Sequence, residues 1–495
     1  MTDFNKHDAD HLETLDRDLH RLSYLENATQ YVARPMMGPG IALAFMVLAG
    51  LSAAIFFGFE PQNYVVILAA VFGAYMALNI GANDVANNMG PAVGANALTL
   101  SGAIAIAVVF ESAGALLAGG DVVSTISKGI IAPSTMASAD VFIWAMMAAL
   151  ISAALWVNLA TWVGAPVSTT HSVVGGVMGA GIAAAGLSAV NWPTMSAIAA
   201  SWVISPVLGG AIAAAFLALI KSRVIYQDDK IAAAKKWVPI LVGIMAGAFA
   251  SYLALKGLKR IMKIDLPTAL AIGLALGVAA WLVTIPLIRR QSEGLENRNK
   301  SLKTLFGIPL VISAALLSFA HGANDVANAV GPLAAIVHAA EYGSFADKVA
   351  IPMWVMIIGA FGISFGLFLF GPKLIRMVGS QITKLNPMRA YCVSLSAAIT
   401  VIIASWLGLP VSSTHIAVGA VFGVGFFREW DAAKRMRAST VAMPDAQRIA
   451  PEERRRRKLV RRSHFMTIIA AWVITVPAAA IMSGLIFYIL SAVVH

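Results

Sequence analysis

The sequence predicts an all-α integral membrane protein. We expect a polytopic bundle of about 12 to 13 transmembrane helices, built from two inverted repeats with broken helices and hairpins at its centre. Three observations predict this fold: long apolar segments, two motifs that each occur twice, and opposite charge in matched loops. Of the 495 residues, 59% are hydrophobic and only 12% are charged, about half the charged fraction of a soluble domain. A soluble globular protein is therefore excluded.

Thirteen apolar segments follow one another along the chain. They are continuous rather than alternating, which argues against the strands of a membrane β-barrel. They are rich in Gly and other small residues, which let membrane helices approach closely. The segments lie near residues 39–59, 64–82, 100–119, 140–163, 166–187, 196–220, 237–255, 266–288, 304–320, 351–371, 390–408, 410–427 and 466–492.

Three sequence landmarks occur twice, in the same order. The first reads GANDVANNMGP and returns as GANDVANAVGP, and the second reads GAPVSTTH and returns as GLPVSSTH. The third, WVIS, returns as WVIT. This order indicates two structural repeats. The matched ranges are 81–91 with 322–332, 164–171 with 408–415, and 202–205 with 472–475.

Loops at equivalent positions in the two repeats differ sharply in their content of Lys and Arg. Residues 188–195 contain no Lys or Arg, whereas their counterpart, 428–464, contains twelve. Residues 221–236 contain five, whereas the tail after Leu490 contains none. Lys and Arg mark cytoplasmic loops, so we expect the repeats to be inverted and the N-terminus to be cytoplasmic. The segment 256–265, with four bases, is an exception because this topology places it outside.

These patterns divide the chain into five predicted parts. The basic loop of the second repeat is expected to be solvated and to touch anionic lipids, with regulatory docking as the alternative. Nucleic acid is excluded as a partner because no basic stretch adjoins a folded soluble domain, and the single cysteine excludes an intrachain disulfide. The parts are a cytoplasmic polar tail (1–35), an additional N-terminal transmembrane helix (36–60), a first repeat (64–220), a linker with two transmembrane helices (221–303), and a second repeat (304–493) containing the basic loop 428–464.

Three acidic residues lie within strongly apolar sequence: Asp84, Glu111 and Asp325. All 36 Lys and Arg residues lie in hydrophilic loops or tails. An ionisable group inside a bilayer costs several kcal/mol unless it faces the protein interior or a cavity. Three acids without a base therefore indicate that the protein handles cations or protons.

The GANDVAN segment is predicted to end an apolar helix, with Gly81 and then Gly90–Pro91 unwinding it. Unwound carbonyls, a carboxylate and amide oxygens would together form a site for a hard cation. Packing of Asn and Asp between helices is the alternative, although the duplication favours a site. The predicted cation- or proton-coupling residues are Asp84, Asn83, Asn87, Asp325, Asn324, Asn328 and Glu111, with Asp84 and Asp325 as possible Na⁺ ligands.

The PVSTTH segment has the composition of a helix start, with Pro166 and Pro410 expected at the first helical position. Free N–H groups and the positive end of the helix dipole can bind an oxyanion there. Ordinary capping by the hydroxyls is the alternative, and the duplication again favours a site. The predicted anion-binding residues are Ser168, Thr169, Thr170, Ser412, Ser413 and Thr414.

His171 and His415 close the two copies of this segment. We expect buried, neutral and hydrogen-bonded imidazoles, with a proton relay as an alternative. A Ser–His nucleophile is disfavoured because no carboxylate is nearby in sequence and a hydrolase has no need of a second copy.

The paired motifs resemble those of the inorganic phosphate transporter family, also called PiT or type III sodium–phosphate symporters, over roughly residues 64–493. The resemblance implies symport of inorganic phosphate with Na⁺ or H⁺, by a homodimer. We expect import of phosphate, across a bacterial inner membrane. The resemblance implies neither catalysis nor a cofactor. It assigns function to Asp84, Asp325, Glu111 and the Ser and Thr residues of both helix starts.

Two alternatives to phosphate symport remain at this point. Some members of the family move sulfate, so a sulfate permease is one. A membrane enzyme that acts on phosphorylated lipid through Ser168 or Ser412 is the other. Some members also carry a second glutamate about sixteen residues before the second PVS segment. Here Ser394 stands at that position, so the type or number of coupling cations can differ.

Overall fold

The computed structural model describes residues 36–60, 63–163, 167–257, 264–343, 351–381, 385–440 and 462–494. Within these ranges the regular structure is helical, apart from one antiparallel bridge between Ile131 and Val190. The predicted tail, 1–35, and most of the basic loop lie outside the described residues. The α-helices are α1 Met36–Phe57, α2 Tyr64–Asn83, α3 Val85–Gly94, α4 Leu100–Ala118, α5 Gly120–Ser124, α6 Ala139–Val163, α7 Thr169–Ala185, α8 Trp192–Ile220, α9 Lys230–Lys256, α10 Leu266–Gln291, α11 Asn299–Leu305, α12 Gly307–Tyr342, α13 Met353–Gln381, α14 Pro387–Trp406, α15 Ser413–Thr440 and α16 Arg462–Val494.

In the described part of the chain, eleven helical segments are long and apolar enough to cross a membrane. The sequence predicted thirteen. The two that differ are the segments near 166–187 and 410–427, which become α7 and α15. Each forms a hairpin with the helix before it, α6 or α14. Ser168 and Val411 lie at the tips of these two hairpins and are buried. Burial of the tips is expected for hairpins that end inside the protein.

The two copies of the GANDVAN segment lie on helices that pack through glycine. A Cβ on Gly81 of α2 would lie 1.9 Å from the carbonyl oxygen of Ile363 on α13. A Cβ on Gly322 of α12 would lie 2.1 Å from the carbonyl oxygen of Glu111 on α4. Because Gly81 and Gly322 occupy matched positions, the contacts make Glu111 and Ile363 equivalent. The hydroxyls of the next residues, Ser112 and Ser364, meet each other at 2.8 Å.

The contacts near the two ends of helix α8 show which segments lie far apart. The helix has 29 residues, which corresponds to about 43 Å at 1.5 Å per residue. At its start, Val190 bridges to Ile131. Just beyond its end, the Lys221 Nζ lies 2.6 Å from an Asp431 carboxylate oxygen. The end of α7 and the Asp431 region of α15 therefore lie at opposite ends of α8, as inverted repeats require.

The linker helices α9 and α10 also pack through glycines. Cβ atoms placed on Gly243 and Gly247 would lie 2.9 Å from the carbonyl oxygens of Gly277 and Gly273 respectively, the close approach that small residues permit in membranes. At the end of α9, Lys256 forms an ion pair with Asp121. Lys256 is one of the four bases in 256–265, the segment that the predicted topology places outside, and this ion pair gives it an acidic partner.

The predicted unwinding of the GANDVAN segments is wrong. Helix α12 continues through Pro332 to Tyr342. In the first copy only Asp84 separates α2 from α3, and its backbone (φ −88°, ψ −34°) remains right-handed helical. The glycines serve close packing rather than unwinding. Pro332 removes one N–H, the donor that would pair with the carbonyl of Asn328 four residues earlier, without ending the helix.

Candidate functional site

Asp84 joins the starts of both hairpin helices. Thr169 at the start of α7 donates its hydroxyl to Asp84 Oδ2 at 2.6 Å. Thr414 at the start of α15 donates to Asp84 Oδ1 at 3.3 Å. The aspartate is 2% exposed. The predicted cation ligand and two predicted anion-binding residues are thus in direct contact.

Asp325 has a related but different environment. Ser413, which matches Thr169, donates its hydroxyl to Asp325 Oδ2 at 3.3 Å. The same oxygen lies 2.8 Å from His321 Nε2, one helical turn earlier on α12. Each aspartate is therefore bonded by the helix start of its own repeat, and Asp325 also contacts a base.

Two asparagines connect each repeat to the hairpin of the other. Asn87 donates its amide to the Thr414 hydroxyl at 2.9 Å. Its counterpart, Asn328, donates to the hydroxyls of Thr170 at 3.1 Å and Thr169 at 3.3 Å. These amides contact the two hydroxyls, those of Thr169 and Thr414, that donate to Asp84.

Asn83 and Asn324 contact the hairpins rather than the aspartates. Asn83 donates to the Thr161 hydroxyl at 2.7 Å, and Asn324 donates to the matched Ser405 hydroxyl at 2.9 Å. Asn324 also accepts from the Val411 backbone N–H at 3.2 Å. Both residues fasten their helix to the first arm of a hairpin, and their role as cation ligands stays a prediction.

Ser168 and Ser412 cap the hairpin helices. Ser168 Oγ accepts from the His171 backbone N–H at 3.2 Å, and Ser412 Oγ accepts from the His415 backbone N–H at 3.4 Å. The capping alternative is therefore present at these two serines. The expectation that Pro410 opens the helix is wrong, because α15 begins only after the Ser412 cap. The matching Pro166 lies outside the described residues.

The starts of α7 and α15 lie side by side. Thr170 donates its hydroxyl to the Val411 carbonyl at 3.0 Å, and the ring centroids of His171 and His415 are 4.6 Å apart. Two positive helix ends thus meet at one place. The ring of His171 packs on Trp202 at 3.9 Å. Its nitrogens have no hydrogen-bond partner among the described residues, so the expected hydrogen bonds are absent there.

The sequence reasoning missed His321, which lies between Glu111 and Asp325 in the same cluster. Its Nδ1 lies 2.6 Å from Glu111 Oε2, and both side chains are fully buried. Asn88 donates to the other Glu111 oxygen at 2.9 Å. The count of bases considered only Lys and Arg. The signal was the residue directly before each motif, which is His321 in the second copy and Ile80 in the first.

The cluster has the donor atoms of a cation site. One ligand atom each from Asp84, His321 and Asp325 lies within 4.8 Å of the others. Side-chain oxygens of Asn88, Asp325 and Asn328 are buried with no hydrogen-bond donor among the described residues. A buried acceptor without a donor is costly. Carboxylate and amide oxygens are the ligands that a hard cation such as Na⁺ prefers, so the types of residue gathered here fit the predicted ion.

Several known proteins are similar to this chain in sequence or in fold. It is 44% identical to a Helicobacter pylori (strain J99) protein that is named as a phosphate permease, over 95% of this chain and 98% of that protein. It is 36% identical to the chloroplastic inorganic phosphate transporter 2-1 of Arabidopsis thaliana, over 86% and 72%. A solved structure of a sodium-dependent phosphate transporter superposes with a TM-score of 0.78 at 35% identity, covering 87% of this chain and all of that one.

The sequence pattern of the phosphate transporter family matches residues 80–483. This range includes both GANDVAN segments, both hairpin starts and all three buried acids. The resemblance seen in the motifs is confirmed, and so is the expectation that the chain is not an enzyme. On the match over most of its length, the chain belongs to the phosphate transporter family.

Proposed function

We propose that this transporter imports inorganic phosphate by symport with a cation, and that the cation is Na⁺. Its membrane would be a bacterial inner membrane, with the N-terminus in the cytoplasm. The observation that supports coupling is the 2.6 Å hydrogen bond from Thr169 to Asp84. It joins a helix start suited to an anion to an acid suited to a cation. The similarity to a sodium-dependent transporter favours Na⁺ over H⁺.

Phosphate would be held without Lys or Arg. Among the described residues no Lys or Arg is buried. The starts of α7 and α15 instead offer backbone N–H groups and the positive ends of two helix dipoles. Hydrogen bonds to an ionised group are about twice as strong as neutral ones. The hydroxyls that add to these donors are those of Ser168, Thr169, Thr170, Ser412, Ser413 and Thr414.

A shared hydroxyl proton would couple the two ions. A threonine hydroxyl has one proton to donate, and Thr169 donates it to Asp84. A cation bound to Asp84 takes over the role of that donor, which frees the Thr169 proton for phosphate. Ser413 and Asp325 are placed in the same way. Each ion then strengthens binding of the other, and the coupling must be reciprocal.

Reconstituted uptake tests this function. Purified protein in vesicles should accumulate labelled phosphate when a Na⁺ gradient is imposed, and much less under a proton gradient alone. Excess unlabelled sulfate should compete only weakly if phosphate is the substrate. Strong competition by sulfate would favour the alternative, a sulfate permease of the same fold. Uptake that proceeds equally without either gradient would exclude symport.

The homodimer is part of the proposal. Cross-linking of the protein in native membranes should give one band at twice the monomer mass, which light scattering in detergent should reproduce. The membrane-enzyme alternative is not retained. Its candidate nucleophiles, Ser168 and Ser412, accept backbone hydrogen bonds as helix caps, and the family is one of transporters.

A further inference from the structure

A basic cavity of about 590 Å³ lies where α8, α11, α14 and α15 meet. Five bases line it, and none of the residues that line it is acidic. The cavity is separate from the aspartate site. It lies at the end of the α14–α15 hairpin farthest from the tip, whereas the aspartates contact the starts of α7 and α15. The five bases are Lys221, Lys300, Lys303, Arg389 and Arg428.

Four of these bases have no acidic partner in the described part of the chain. Lys221 pairs with Asp431 at 2.6 Å. The ion pairs of the described residues include none with Lys300, Lys303, Arg389 or Arg428. Arg389 and Arg428 are half-buried and close enough for their charges to repel each other. Like charges held together at partly buried positions are unfavourable unless an anion lies between them.

The cavity lies at the end of the molecule that the charge pattern assigns to the cytoplasm. Two segments of the linker, 221–236 and 289–303, each contain five bases. They meet there, with the Lys230 backbone N–H donating to the Asn297 side-chain oxygen at 2.9 Å. The cavity is also at the base of the second hairpin. Helix α14 begins directly after Asn386, which lines the cavity, and runs toward the hairpin tip. Helix α15 begins at the tip, after Ser412, and returns to the cavity at Arg428. A ligand in the cavity would hold both arms of the hairpin that carries the Ser413 and Thr414 hydroxyls.

We propose that this cavity binds a phosphorylated anion with at least two negative charges, and that binding there holds the base of the second hairpin. Arg guanidinium groups recognise phosphate oxygens through paired hydrogen bonds, and four unpartnered bases favour more than one negative charge. Basic pockets between membrane helices on the cytoplasmic side suit lipid head groups. A soluble diphosphate offers the same chemistry, so the test must separate the two sources.

The experiment uses the full chain in nanodiscs and has two arms. In the first, nanodiscs of phosphatidylcholine are titrated with inorganic pyrophosphate. In the second, cardiolipin replaces a rising fraction of the phosphatidylcholine. Thermal unfolding is followed in both. Lys300→Gln with Arg428→Gln removes two unpartnered cavity charges, and Lys235→Gln with Lys236→Gln removes two exposed charges elsewhere on the same side.

We expect saturable stabilisation in at least one arm. The cavity variant should weaken it about tenfold or more in half-saturating concentration, as expected for lost hydrogen bonds to a charged group. The control variant should stay within about twofold of the parent. Asp84→Asn should retain the response, since the cavity is separate from the transport site. Stabilisation by pyrophosphate alone identifies a soluble ligand, and stabilisation by cardiolipin alone identifies a lipid head group.

Two results would overturn the proposal. One is the absence of saturable stabilisation in both arms. The other is an equal loss in the cavity and control variants, which would mean that only net charge matters. Unfolding of each variant in phosphatidylcholine alone serves as the folding control. If the cavity variant is unfolded, Lys300→Gln with Lys303→Gln replaces it, because both of these lysines are exposed.

Discussion

Glu111 Oε2 and His321 Nδ1 lie 2.6 Å apart in the buried centre of the protein. The matched positions in the other half are Ile363 and Ile80, as the glycine contacts of α2 and α12 define them. One half thus has an acid–base pair where the other has two aliphatic side chains. Only Asp325 contacts a histidine on its own helix. The duplicated motifs therefore build two aspartate sites that are not equivalent.

The pair predicts a specific pattern of stability. Glu111→Gln or His321→Asn alone should destabilise the protein, because removing one partner of a buried pair costs about 3–5 kcal/mol. Replacing both by Ile, as in the other half, should be much less costly, since apolar replacement of a whole buried pair is often neutral. Unfolding in detergent would measure each cost. Single effects that simply add in the double variant would contradict the pairing, and Ile80→Val with Ile363→Val is the matched control.

The two aspartates should be required for coupled uptake. Asp84→Asn and Asp325→Asn preserve size and one carbonyl oxygen but remove the charge that balances a bound cation. We expect Na⁺-driven phosphate uptake to fall nearly to background while the protein remains folded and inserted. Asp140→Asn, an exposed acid in the first turn of α6, should be normal. Normal uptake by both central variants would instead make the aspartates packing groups.

The sequence predicted the fold class, the presence of central hairpins and the residue types that meet at Asp84, because duplication and apolar length are visible in one chain. It did not predict which segments form the hairpins, since it counted α7 and α15 among the membrane spans. It did not predict continuity of α12, since Gly322 and Pro332 suggest unwinding until the close contact with Glu111 is known. It also missed His321. A histidine beside an apolar run is ordinary in sequence, and only packing shows that it lies between Glu111 and Asp325.

Close packing at Gly322 should be intolerant of a methyl group. An added Cβ would lie 2.1 Å from the Glu111 carbonyl oxygen, and overpacking of this kind costs about 1–3 kcal/mol. Gly322→Ala should therefore lower the unfolding temperature. Gly307→Ala has no atom within 4 Å of the new carbon and serves as the control. Equal stability of the two variants would be inconsistent with the packing of α12 on α4.

The inverted arrangement can be tested by cysteine labelling. The native Cys392 is fully buried, so the parent gives little background. Ser188→Cys, after α7, should react with an impermeant reagent added outside the cell. Ala433→Cys, near the Asp431 end of α15, should react only after the membrane is opened. Both positions are exposed. Labelling of both cysteines from the same side of the membrane would contradict the inverted-repeat topology.

The proposed exchange of a hydroxyl proton between acid and phosphate gives the last prediction. Thr169→Ala and Ser413→Ala should raise the KM for phosphate about tenfold to a hundredfold, because a hydrogen bond to a charged group contributes about 1.5–3 kcal/mol. Ser168→Ala and Ser412→Ala should also raise KM, and each should lose about 1 kcal/mol of helix-cap stability. Uptake kinetics and unfolding would separate these effects.

The dependence on Na⁺ distinguishes this exchange from simple loss of a contact. In the parent, Na⁺ at Asp84 frees the Thr169 proton, so phosphate affinity should rise steeply with Na⁺. In Thr169→Ala that proton is absent, and the rise should be shallower because Na⁺ then acts only through its charge. Thr284→Ala, a buried threonine of α10 bonded to its own helix at Ala280, should match the parent. An equally steep Na⁺ dependence in Thr169→Ala would show that the hydroxyl does not link the two ions.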